Sequence, residues 1–366
     1  MRRIVLWVIF WAAAAASAAE ADGWRCLLKR TALDEGTLTS TLYVADLVAG
    51  EITTLATFEG VDVAAAVADA AGETVLVAGY LYGVSGQVVQ IYRVEADSGD
   101  CTPVGDFDYP QLPEVGVAYD EKEGVFFVAA WGDLDSSSGP EGFLMHATYF
   151  YRYDPAQGVV KTLGGYKREY SLVGAGAGAL YVTTYGYVNS DLEWGKIFVY
   201  LDAESGDVHY TDFVAGEGVW DNRYDDNPAE DKGFWGDFVQ ERSWFTGPAR
   251  YPPDGVRRRP IYYYSYDPPP LSEYVEIYVN GPADGEAYRT RKADWRARDV
   301  FYSYRRDAAV YLIPGETGAP TDVVVTSGDG TPGPRLALPA YEPRGAVRIA
   351  ELGYELSFDY SLLYVE

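Results

Sequence analysis

The side chains able to do chemistry are unevenly supplied. The 366 residues hold 55 Asp and Glu but only 2 His and 2 Cys, so any catalysis or metal binding must lean on oxygen donors. His146 and His209 both fall in strand-like runs and read as ordinary strand side chains rather than as bases. No HExxH, P-loop or nucleophile-elbow pattern occurs. The GAGAG run from Gly174 is not followed by the helix that a dinucleotide fingerprint requires.

The densest oxygen cluster is DNRYDDNPAED, where Asp221, Asn222, Asp225, Asp226, Asn227, Glu230 and Asp231 crowd into one short segment. Calcium is the ion this chemistry suits, because a hard cation takes about six to eight oxygens. The expected ligand set is Asp221, Asp225, Asp226, Asn227 and Asp231, with a solvated acidic loop as the alternative, since the spacing is not that of an EF-hand. A sparser second cluster is WGDLDSSSG, with Asp133 and Asp135. Aromatic residues gather in the same part of the chain: Trp220, Trp235, Trp244 and Tyr251, then Tyr262, Tyr263 and Tyr264. Planar faces of this kind stack on sugars or hold a peptide, although alternating tyrosines in a strand also serve cross-strand packing. A glycosidase or lyase would need two carboxylates at a set separation, and no spacing singles out such a pair.

The N-terminus has the three-part shape of a secretory signal: Arg2 and Arg3, an apolar run from Ile4 to Ala16, then small residues through Ala19. Cleavage near Ala19 is expected, because the apolar run is short of the roughly 20 residues that span a bilayer. The reading is therefore a signal peptide over 1–19 and a secreted or periplasmic domain over 20–366 with no later membrane span. Cys26 and Cys101 allow one disulfide, which an oxidising compartment would permit. The net charge of −26 disfavours nucleic acid and anionic lipid as partners. Positive charge is concentrated in one stretch, from Arg257 to Arg306.

The elements that must position these residues are strands. Four ungapped segments share one pattern: LYVADLVAGEITTLATF from Leu42, IYRVEADSGDCTPVGDF from Ile91, FYRYDPAQGVVKTLGGY from Phe150 and IFVYLDAESGDVHYTDF from Ile197. Each opens on an apolar or aromatic pair, carries an acid at the fifth or sixth position and Gly at the ninth or tenth. The chemistry is that of a β-hairpin closed by an Asx-type turn. Copies are spaced by about 50, 60 and 45 residues, the range of propeller blades.

Between them recurs a second strand–turn–strand unit: VDVAAAVADAAGETVLVAGYLYG from Val61, EVGVAYDEKEGVFFVAAWGD from Glu114 and YSLVGAGAGALYVTTYGYV from Tyr170. Two hairpins make a four-stranded sheet, and Ala65, Ala66, Ala118, Gly174 and Ala175 keep the first strand small-sided, as crowding at an axis demands. The Leu27–Phe58 segment reads as an incomplete blade, so the C-terminal strands are expected to complete it and close the ring, removing exposed edges. Helix content should be very low. Residues 216–270 are irregular and read as long loops or a decorated blade.

In repeat length and strand pattern these units resemble β-propeller repeats of the broad WD40-like and YVTN-like type, without the WD dipeptide or its preceding Gly-His. The resemblance implies an architecture and no particular activity. The expectation is an all-β propeller of about seven blades, six being the alternative, each a four-stranded antiparallel sheet. Its expected role is non-enzymatic binding or scaffolding of a protein or glycan. The competing readings are a carbohydrate-active hydrolase or lyase and a structural part of an envelope assembly.

Overall fold

A computed structural model describes residues 24–82, 87–109, 114–121, 123–134, 145–166, 170–176, 178–187, 194–205, 208–210, 244–245, 262–265, 274–280, 288–294, 296–303, 306, 308–315, 320–327, 330–340, 346–349 and 354–365. All the regular elements among them are strands.

In chain order these are β1 (Arg25–Asp34), β2 (Thr37–Asp46) and β3 (Glu51–Glu59); then β4 (Val61–Ala68), β5 (Thr74–Leu81), β6 (Gln87–Glu95) and β7 (Cys101–Tyr109). Next come β8 (Glu114–Asp120), β9 (Val125–Leu134), β10 (Met145–Asp154) and β11 (Val159–Tyr166), followed by β12 (Ser171–Gly176), β13 (Ala179–Tyr187), β14 (Trp194–Asp202) and β15 (Val208–Tyr210). The remainder are β16 (Trp244–Phe245), β17 (Tyr262–Ser265), β18 (Tyr274–Asn280), β19 (Tyr288–Asp294), β20 (Arg298–Ser303), β21 (Ala308–Ile313), β22 (Asp322–Ser327), β23 (Pro332–Ala337), β24 (Ala346–Ile349), β25 (Tyr354–Ser357) and β26 (Ser361–Val365). Five consecutive quartets, β4–β7 through β20–β23, each form one antiparallel sheet, and a sixth has the order β26-β1-β2-β3.

The hairpin repeats are the third and fourth strands of four successive blades, and their turns explain the repeated acid and Gly. Asp46 Oδ1 accepts the backbone N–H groups of Val48 and Ala49 at 3.0 and 2.8 Å, and Asp154 Oδ1 does the same for Ala156 and Gln157. Each turn closes with an amide bonded back to the carbonyl of the acid, from Gly50, Gly99 and Gly158. Gly99 illustrates why Gly is needed: its φ is +73°, and a Cβ there would run into the Leu55 carbonyl of the neighbouring blade.

Strands in the middle of a blade are buried on both faces, which is why they read as continuous apolar runs. In β9, Phe126, Val128 and Ala130 pack toward the β4–β7 blade while Val125, Phe127 and Ala129 pack toward β12–β15. The small-sided strands are the innermost ones: β4, β8 and β12 contact one another in turn, with Ala66, Ala118 and Ala175 almost fully buried.

The first blade is completed as expected. β26 pairs antiparallel with β1, setting Cys26 opposite Val365 and Lys29 opposite Ser361. The expectation of seven blades is corrected: the described residues form six four-stranded sheets, and the one other sheet is the β24–β25 ribbon. That ribbon is no intervening blade, because β26 packs directly on β20. Three strands went unread in the sequence: the two-residue β16, and β19 and β23, which lie at the outer ends of their sheets.

Candidate functional site

One face of β1 carries Arg25, Leu27, Lys29 and Thr31 in alternation, and this face lies against the β4–β7 blade. Each residue meets a different environment there. At one end Arg25, Asp46 and Glu51 form a cross-strand row over β1, β2 and β3. The next row on this face runs from buried Leu27 through half-buried Val44 to exposed Thr53. The β4–β7 blade supplies only small or short side chains opposite, at Ala68, Gly72, Val75 and Ala96, and Tyr364 of β26 reaches the same place. The result is a cleft of about 280 Å³ with an apolar floor and a charged rim.

Above the cleft the interface turns polar. Lys29 Nζ donates to Asp62 Oδ1 at 3.0 Å and also to the Val63 carbonyl. The Thr31 hydroxyl lies 3.1 Å from Ser40 Oγ and 3.3 Å from Asp62 Oδ1, and Ser40 Oγ accepts the Val63 amide. Thr31, Ser40 and Asp62 are all buried. A buried charge pair is tolerated only where its partners are supplied, and removing one partner of such a pair costs about 3–5 kcal/mol. The network therefore fixes how the closing blade seats on its neighbour.

Ring closure has a second polar anchor on the opposite side. Asp299, at a bulge in β20, has φ +47° and accepts the Leu362 amide of β26 at 3.0 Å. An Asp tolerates this left-handed conformation better than most residues. Nearby, the Arg306 guanidinium stacks 4.4 Å over the Trp24 ring, so one cation of the basic stretch holds the start of β1.

The sites expected from sequence are distributed as follows. Asp221, Asp225, Asp226, Asn227 and Asp231 lie outside the described residues, as do Trp220, Trp235 and Tyr251 and the signal-like segment. Trp244 starts β16 and is the Cα partner of Tyr264 in β17, so part of the irregular 216–270 stretch is sheet. Asp133 lies in β9 opposite His146 of β10, and His209 lies in β15 opposite Tyr200. Among the described residues no group of three His, Cys, Asp or Glu is placed to hold a metal ion. Cys26 and Cys101 lie on different sheets and are not joined to each other, the first buried and the second exposed. Partial desolvation of its sulfur, with Asp100 beside it, still pushes the Cys101 thiol above its usual range.

Sequence reading missed the cleft and the Lys29–Asp62 pair. The available signal was a single Asp in the otherwise apolar VDVAAAV run of β4, since a charge at a two-sided buried strand needs a partner.

Comparison with known proteins supports the fold. The chain is similar to TolB from Acinetobacter baumannii, with 13% identity, 91% of this chain and 69% of that one covered, and a TM-score of 0.50. It also aligns with a chain of a nidogen/laminin complex (11% identity, 86% and 94% covered, TM-score 0.48) and with the β-propeller domain of the trilobed protease from Pyrococcus furiosus (12%, 88% and 88%, 0.43). No protein-family profile and no curated protein matches the sequence. The chain is a β-propeller. No helix among the described residues is long and apolar enough to cross a membrane.

Proposed function

We propose that this protein is an exported propeller that binds or scaffolds a protein or glycan without catalysing a reaction, using the long connections on one face of the ring. The observation that supports this is how connections sort between the two faces in the blades built from β1 to β15. Antiparallel strands alternate direction, so strand ends 1–2 and 3–4 of every blade share a face. There the connections are short turns, 47–50, 69–73, 96–100, 121–124, 155–158 and 203–207. The strand ends that 135–144, 188–193 and 211–243 join open on the other face, which also carries the short connections 35–36, 60, 82–86, 110–113 and 167–170, so every connection longer than five residues starts from that face. A rigid ring with variable loops on one side is a scaffold for recognition.

The 211–243 connection contains Trp220, Trp235 and the acidic segment, which suits a polar ligand held by aromatic faces and a bound calcium ion. Export rests on the signal-shaped N-terminus. The test replaces residues 221–231 by a Gly/Ser segment of equal length and compares both proteins on a glycan array and against extracytoplasmic proteins. Binding lost with an unchanged circular dichroism spectrum supports the proposal. Unchanged binding, or turnover of a bound glycan, overturns it. Calcium is tested separately: the intact protein should melt at higher temperature with the ion, and no rise sinks the metal assignment.

A further inference from the structure

The cleft on the short-turn face is independent of those loops, and its chemistry specifies a ligand. We propose that it is a binding site for a short zwitterionic peptide, two residues long, with an apolar side chain. Three observations converge.

First, the rim offers opposite charges that are not used by the fold. Asp46 is committed to its turn through Oδ1, but among the described residues neither Arg25 nor Glu51 has an ion-pair or hydrogen-bond partner. An unpaired guanidinium suits a carboxylate in a two-pronged contact, and an unpaired carboxylate suits an ammonium group.

Second, the spacing selects length. Arg25 and Glu51 flank Asp46 in one cross-strand row, so their backbones stand two strand spacings apart, about 9.5 Å. An extended dipeptide spans about 7 Å, and the two long side chains cover the remainder. A single amino acid would force the two side chains to converge over Asp46, whereas a dipeptide leaves them apart.

Third, the floor is apolar and roomy. Leu27 and Tyr364 are buried beneath the rim, and Ala68, Gly72 and Ala96 leave the facing wall recessed. At about 280 Å³ the space lies just under the usual range for drug-sized ligands, as a dipeptide requires. The walls come from β1, β2, β3 and β26 on one side and from the β4–β7 blade on the other, so an occupant bridges the closing blade to its neighbour and raises the melting temperature.

The experiment titrates the purified protein with L-leucyl-L-leucine, its N-acetyl form and its C-terminal amide, reading affinity by calorimetry and stability by thermal shift. The free dipeptide should bind saturably and raise the melting temperature by a few degrees, and each capped form should bind about tenfold more weakly. In R25Q the amide should bind as well as the free dipeptide, and in E51Q the N-acetyl form should. Both residues are exposed, so these variants keep the fold, and unchanged melting without ligand checks this. Absence of saturable binding, equal affinity for capped and free forms, or full affinity in both variants would overturn the proposal.

Discussion

The interface between the closing blade and the β4–β7 blade differs instructively from the one between β8–β11 and β12–β15. Both use the same latch: a third-strand hydroxyl, Ser40 or Thr148, accepts a backbone amide from the next blade, that of Val63 or Tyr170. The two positions are equivalent in the hairpin repeat, two residues before Leu42 and Phe150. Beyond the latch they diverge. The inner interface is sealed by aromatic and aliphatic packing, with Phe127, Phe150 and Tyr170 in one cluster and Asp120 Oδ2 taking the Gly178 amide at 2.8 Å. The closing interface is packed as well, by Leu27, Leu42, Leu55 and Phe58 against the β4–β7 blade, and in addition it buries an ion pair and leaves a cleft. The closing blade runs into the β4–β7 blade through Gly60 alone, so sequence separation does not set the two interfaces apart; both are packed, and the closing one adds directional polar contacts and keeps a cleft beside them.

The largest effect should follow from deleting β26. Leu362, Tyr364 and Val365 are all buried, and their loss opens the β1 edge and removes the partner of Asp299. Truncation before Ser361 should abolish cooperative thermal unfolding, followed by circular dichroism. Next in size, Asp62→Ala leaves Lys29 and Thr31 without their shared acceptor and should cost about 3–5 kcal/mol in urea denaturation. Adding Lys29→Met should recover most of it, whereas a pair that merely decorates the surface would show neither effect.

Much of this comparison was legible beforehand. Asp and Gly at fixed positions announced the hairpins, alanines marked the inner strands, and the incomplete Leu27–Phe58 segment foretold the closure by C-terminal strands. The rest was hidden for physical reasons. β19, YRTRKAD, and β23, PGPRLA, lack an apolar pattern because outermost strands need bury little, and an edge also tolerates proline. Blade number was obscured because β24–β25 reads like half a blade and only its exclusion from between β20 and β26 shows otherwise. The Lys29–Asp62 pair joins residues far apart in sequence, and the cleft draws single residues from many strands, so neither leaves a motif.

The shared latch gives a smaller, sharper test. Ser40→Ala and Thr148→Val each strand one buried amide and should each cost about 1–3 kcal/mol. A clear excess for Ser40→Ala would show that its contact with Thr31 couples it to the ion pair. The smallest effect concerns the interface between the β4–β7 and β8–β11 blades. Burial and the neighbouring Tyr149 push the Tyr151 hydroxyl up to about 12. Its protonated form is favoured by folding, so this stability is fully present below pH 10 and is lost as pH rises from 10 to 12. Tyr151→Phe should flatten the alkaline loss of stability in that window while leaving neutral-pH behaviour nearly unchanged.

Ring closure by the C-terminal strand is most directly tested by covalent capture. Cys26 and Val365 are opposed on β1 and β26, so V365C in a C101S background places two thiols within reach of one another. Mild oxidation of the folded protein should form the 26–365 disulfide, seen as a linked peptide by mass spectrometry, and should raise the melting temperature reversibly with reductant. A folded, monomeric protein in which both thiols stay free and reactive would contradict the closure and the register on which the seam and its cleft depend.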